Sequence, residues 1–193
     1  HVGEGAEDEF VLMSSMKCAE ILRNYEVDVL GSKIPRSERP TDTQLSPVRH
    51  KLLDDVDPAV DFSNFGPIGD RSANALSHVE DVHVDGTVVK RRVTGPTTIA
   101  EWKACWRVWA TCMLGLKAWP PGPLNAYERN QEVLDAMFPG RYSVLAQADY
   151  FNRFEEWKEY REEVEQLVLN GSTPAFADMK MAWAAAIYRA AKH

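Results

Sequence analysis

The chain has 193 residues, of which 45% are hydrophobic and 26% charged, with a formal net charge of -7. That length suits one domain, or one domain with a long arm, and the balance supports a real core. The 22 basic against 29 acidic residues exclude nucleic-acid binding by the whole surface, since phosphate affinity comes from clustered Lys and Arg releasing counterions.

The longest apolar run, near Met181 to Ile187, is too short to span a bilayer. Cys18, Cys105 and Cys112 are few and odd in number, which argues against a disulfide framework. They read as reduced, buried thiols of an intracellular protein, cytoplasmic or nuclear. The chain opens on His1 rather than Met, as a trimmed or processed product does, and shows no basic, apolar leader pattern.

Residues 1–9 are acidic and small and read as a solvated lead-in. From Phe10 to Tyr25, Val11, Cys18, Leu22 and Tyr25 fall at helical spacings, predicting a helix of three to four turns. Glu26 to Ser77 holds Pro35, Pro40, Pro47, Pro58 and Pro67. Proline fixes φ and removes a donor, so this stretch reads as an extended arm with one short helix around Pro47 to Asp55.

Val79 to Val93 has the pattern of a β-hairpin around Asp85-Gly86, a dipeptide that tolerates positive φ. Closing that turn sets Val82 against Val89, Asp81 against Lys90 and Glu80 against Arg91, a mutually consistent register.

After Gly95-Pro96, Thr98 and Glu101 fit a capping box. Ile99, Trp102, Trp106, Trp109, Met113 and Leu116 then form one helical stripe, ended by Pro120, Pro121 and Pro123. A second helix is expected over Leu124 to Phe138, with Tyr127, Leu134 and Met137 inward. A third is expected over Tyr142 to Asn170, with Phe151, Phe154, Trp157, Val164 and Leu167 apolar. Gly171 suits a left-handed C-cap. Thr173-Pro174 opens a fourth helix with Phe176, Met179, Trp183, Ile187 and Ala190 buried.

The fold expected is therefore mainly α: a C-terminal four-helix, tryptophan-rich bundle with a β-hairpin and a long proline-rich N-terminal arm. The divisions are an N-terminal helix and lead-in over 1–25, the arm with its hairpin near 79–93 over 26–95, and the bundle over 96–193.

The indoles of Trp102, Trp106 and Trp109 could stack a ligand, but their helical period points to core packing. The acidic run from Glu155 to Glu165 is interleaved with Lys158 and Arg161 and reads as a solvated helix face. His78 and His83, five apart, point to opposite faces of a strand and cannot share a metal. No zinc, nucleotide or nucleophile-elbow motif occurs. No catalytic, cofactor-binding or metal-ligating residue is therefore assigned, and no cofactor is expected. The basic trio Lys90, Arg91 and Arg92 is the best local anion or nucleic-acid contact, though the expected cross-strand partners account for two of them.

Three stretches carry a resemblance: T-T-I-A-E-W-K-A-C-W-R-V-W (97–109), P-L-N-A-Y-E-R (123–129) and Q-A-D-Y-F-N-R-F-E-E-W (147–157). Over about residues 97–165 the pattern resembles a helical segment of dinoflagellate retrotransposon-type open reading frames. The resemblance implies a non-enzymatic region upstream of polymerase and integrase parts, Gag-like or an assembly module. A domesticated copy serving as a structural subunit fits equally. The Cys/His knuckle of a packaging Gag is absent from the chain.

The leading expectation is a non-enzymatic structural, assembly or interaction protein that meets a protein partner or itself through residues 26–95. The alternatives are a nucleic-acid-associated Gag-like protein using Lys90, Arg91, Arg92, Lys103 and Arg107, and an enzyme with an unfamiliar site between hairpin and bundle.

Overall fold

A computed structural model describes residues 12–54, 58–67, 77–84, 87–119, 121–156 and 169–171. The described chain is mainly helical. Helix α1 spans Ser15–Tyr25 and is capped by Ser14, whose hydroxyl accepts from the Lys17 N–H at 3.3 Å. Cys18, Leu22 and Tyr25 form its buried side. The helix does not stop at Tyr25 as the sequence suggested. It widens into a π-helical turn over Glu26–Leu30 and closes on Gly31, which takes φ +68.

Helix α2 spans Asp42–Leu53, so it starts before the expected short helix and carries Pro47 inside it. The Gln44 side-chain oxygen accepts from the Thr41 N–H at 2.9 Å, which closes the N-terminus well upstream of the proline. The Gln44 amide then donates to the carbonyls of Asn64 and Gly66 at 3.0 and 3.1 Å. Leu45 and Val48 are fully buried.

Beyond α2 the chain runs extended through a 3₁₀ turn at Phe62–Asn64. Val60, Phe62 and Phe65 are buried in the same cluster as Trp102, Trp106 and Trp109, so this segment is built into the core. The core draws on residues from Cys18 to Tyr127.

Strands β1, Ser77–Val84, and β2, Thr87–Thr94, pair antiparallel. Ser77 faces Thr94, Asp81 faces Lys90, Val82 faces Val89 and Val84 faces Thr87. The turn at 85–86 lies outside the described residues.

Helix α3 spans Ile99–Gly115. Thr98 accepts from the Glu101 N–H at 3.2 Å, while Glu101 reaches back to the Thr97 N–H at 2.8 Å, one residue earlier than a simple capping box. Trp102, Trp106 and Trp109 are all buried, as their spacing requires. The helix ends before the prolines. Ala118 N–H donates to the Met113 carbonyl at 2.9 Å and Lys117 N–H to Leu114 at 3.0 Å, with Lys117 itself at φ 56. That is a Schellman closure with lysine in the position glycine usually fills.

Pro121 and Pro123 instead open the next helix. Helix α4 spans Pro121–Met137, three residues longer at its start than expected. Proline is at home in a first helical turn, where N–H groups have no intrahelical acceptor. Leu124, Tyr127 and Leu134 point inward, but Met137 is exposed, a correction to its inward assignment. Helix α5, Tyr142–Tyr150, passes into a second π-helical turn at Phe151–Glu156. Phe154, one of the apolar positions of the expected third helix, is exposed there. The wider π turn shifts the phase of the following side chains, so a 3.6-residue stripe cannot continue unbroken. Gly171 takes the expected left-handed φ of +75. The expected fourth helix at 173–193, Trp157, and the acidic run beyond Glu156 lie outside the described residues.

Candidate functional site

Trp106 lies against Tyr127 at 4.5 Å between ring centroids and 15° between planes. Trp102 stacks on Trp106 at 5.2 Å, and Phe62 meets both indoles. The three indoles are at most 2% exposed, so no indole face is open to stack a base. The Trp109 indole N–H donates to the Pro58 carbonyl at 3.1 Å, tying the segment before the 3₁₀ turn to α3 through a buried bond.

A charged clamp sits beside these rings. Arg153 Nε donates to both carboxylate oxygens of Asp149 at 3.0 Å, and Nη2 donates to Oδ2 at 2.8 Å. Its Nη1 donates to the Val60 carbonyl at 2.8 Å. The guanidinium carbon lies 3.9 Å over the Phe62 ring. Tyr127 O–H donates to Asp149 Oδ1 at 2.9 Å.

Burial raises the Tyr127 pKa well above its ordinary value, and the neighbouring Asp149 adds to this. Burial opposes the Arg153 charge, but Asp149 more than offsets it, so that pKa is raised too. Tyr127 stays protonated and Arg153 stays charged near neutral pH. Neither is poised to exchange protons in a catalytic cycle. The Tyr142 hydroxyl and the Asn152 amide are buried close by without a hydrogen-bond partner among the described residues.

The first π turn carries a second charged centre. Glu26 is buried and accepts from Lys33 Nζ at 2.8 Å, Arg39 Nη1 at 2.6 Å and the Ile34 N–H at 3.1 Å. The Lys33 hydrogen bond, reinforced by Ile34 and Arg39 against the burial cost, holds its carboxyl down at about 2. This hub ties the loop over 31–40 to the end of α1.

The outer side of α1 is different in kind. Met16 is 82% exposed, Val27 69% and Val29 59%. A shallow groove of about 540 Å³ runs along this side, lined by residues from Met16 to Asp28. It lies opposite Cys18, Leu22 and Tyr25, which face the core.

Of the basic trio on β2, Lys90 and Arg92 are exposed. They are two apart in a strand and therefore share a face. Lys103 and Arg107 are not available beside them. Lys103 pairs with Glu132 and lies 3.6 Å from Glu128, while Arg107 pairs with Glu128 at 2.9 Å and lies 3.7 Å from Glu38. His50 stands on α2 with Nδ1 3.1 Å from Asp54. Among the described residues, no group of three or more His, Cys, Asp or Glu could hold a metal ion, and no helix is long and apolar enough to cross a membrane.

Sequence reasoning passed over Glu26, Asp149 and Arg153. Asp149 and Arg153 are spaced four apart, a visible pairing signal. Their burial depends on Val60, far away in the chain. No family model, curated protein or solved structure matches this chain.

Proposed function

We infer that the chain is a non-enzymatic protein-interaction or assembly module. Its contact surface lies within residues 26–95 and on the adjoining outer side of α1. The observation that carries this is the exposure of Met16 at the start of α1 and of Val27, Val29 and Leu30 together in the π turn that follows it. Contiguous apolar surface on a folded chain marks a place where another molecule sits. The inner part of the arm, Val60 to Phe65, is committed to the chain's own core and leaves the contact role to Val27–Leu30 and the hairpin. The retrotransposon-type resemblance over 97–165 supports an assembly role, in a retroelement or in a domesticated copy.

Cross-linking in an extract of expressing cells, followed by peptide mapping, tests this. Links should join 26–30 or the hairpin to a second polypeptide, and native gel filtration should place the chain above its own 21.8 kDa. Elution at one chain's mass, with intrachain links only, overturns it.

The second reading is a nucleic-acid-associated Gag-like protein. Exposed Lys90 and Arg92 on one face of β2 favour it. Titration of labelled DNA and RNA at several salt concentrations decides it. Binding that weakens steeply with salt and is lost in Lys90→Glu/Arg92→Glu supports it, and no binding at low salt ends it.

A further inference from the structure

The outer side of α1 is complementary to itself. Met16, Glu20, Arg23 and Val27 recur at spacings of four, three and four, the rhythm of a helix-packing seam. Ala19 and Asn24 complete the groove between them. The midpoint of this seam falls between residues 21 and 22. Met16 and Val27 are equidistant from it, as are Glu20 and Arg23, and Ala19 and Asn24.

In an interface with two-fold symmetry, residue i meets residue j and j meets i. Two copies of α1 laid antiparallel about that midpoint set apolar Met16 on apolar Val27, twice. They set Glu20 on Arg23, twice. They set small Ala19 on Asn24, twice. A parallel pairing instead stacks Glu20 on Glu20 and Arg23 on Arg23, which like charge disfavours. Sliding one copy by a turn puts Glu20 on Val27, or Arg23 on Met16, and loses every matched pair. One arrangement alone satisfies both charge and hydrophobicity.

The partners are available. Arg23 forms no ion pair among the described residues, and Glu20 holds only the exposed Lys17 at 2.9 Å. Exposed pairs of this sort are weak and exchange readily. The π turn that carries Val27 is held by the buried Glu26 hub, so the seam is presented on a fixed scaffold.

We propose that this face is where a second copy of the chain docks, α1 against α1, antiparallel about the level of residues 21 and 22. The proposal rests on the assembly reading and names its partner and surface. Three helical turns make a small contact, so the pair is weak and concentration-dependent.

The test uses the full chain. Met16→Cys and Val27→Cys proteins are mixed and oxidised. The native thiols Cys18, Cys105 and Cys112 are free and buried, so they stay out of the reaction. The mixed disulfide should form several-fold faster than the link between two Met16→Cys chains, whose positions lie roughly 16 Å apart along the axis. Glu20→Arg and Arg23→Glu should each lower the dimer yield about fivefold, and the double exchange should restore it. Helical circular dichroism matching the parent confirms that these exposed substitutions leave the fold intact.

Equal cross-linking rates, or a double exchange no better than the singles, overturn the proposal. If the chain nevertheless elutes above its own mass from an extract, the assembly reading stands through another surface. If it elutes as a single chain, both fall.

Discussion

At the residue scale, two buried charged centres hold the molecule's segments together, and each gives a measurable consequence. Removing one partner of a buried ion pair leaves the other uncompensated. Arg153→Met, which strands Asp149 and releases the Val60 carbonyl, should cost roughly 3–5 kcal/mol in urea unfolding. Adding Asp149→Leu should recover part of that loss. A cost below about 1 kcal/mol for the single change would show that the clamp does not bind the Val60 segment to the helix carrying Arg153. The Glu26 hub makes a prediction in pH. Its carboxyl sits at about 2 when folded, against an ordinary value of 4.5. The unfolded chain therefore takes up the proton first on acidification. The hub's contribution is complete above the unfolded value and falls away between pH 4.5 and about 2. Glu26→Gln should flatten the stability profile in that window and lower its neutral plateau. An unchanged acid limb would contradict the assignment. Spacing made the tryptophan stripe legible at this scale, because burial of Trp102, Trp106 and Trp109 follows from period alone. The clamp was not legible, because its third member is a backbone carbonyl brought in by a segment of irregular structure.

At the element scale, a helix boundary was legible where its capping chemistry is local to the sequence. Thr98 and Glu101 announce α3 through chemistry local to the sequence. Its end depends on Lys117 adopting a left-handed conformation that lysine disfavours. The visible prolines drew the boundary too late, and they open α4 instead. The two π turns were invisible for a related reason: an extra residue per turn is set by tertiary demands such as the Glu26 hub. A paired test follows from the backbone. Lys117→Gly should raise stability by about 0.5–1 kcal/mol, because glycine takes positive φ without the Cβ penalty. Gly31→Ala, at φ +68 with open space around it, should lower stability by about 1 kcal/mol through backbone strain alone. Thermal unfolding of the two variants should move in opposite directions. Shifts in the same direction would mean that these residues do not terminate their helices as described.

At the scale of the whole molecule, a helical body with residues 58–65 inside its core leaves the outer side of α1 and the π turn after it exposed. The mainly helical class was readable from periodicity and caps. The participation of Val60, Phe62 and Phe65 in the core was not, since an aperiodic stretch announces no packing face. The function argued here depends on one surface being a contact. Sedimentation equilibrium of the unmodified chain over a wide concentration range tests this most directly. The account predicts a mass that rises with concentration from 21.8 kDa toward twice that value, and that stays at one chain in Met16→Ser/Val27→Ser. A mass fixed at one chain for the parent at every concentration would contradict it.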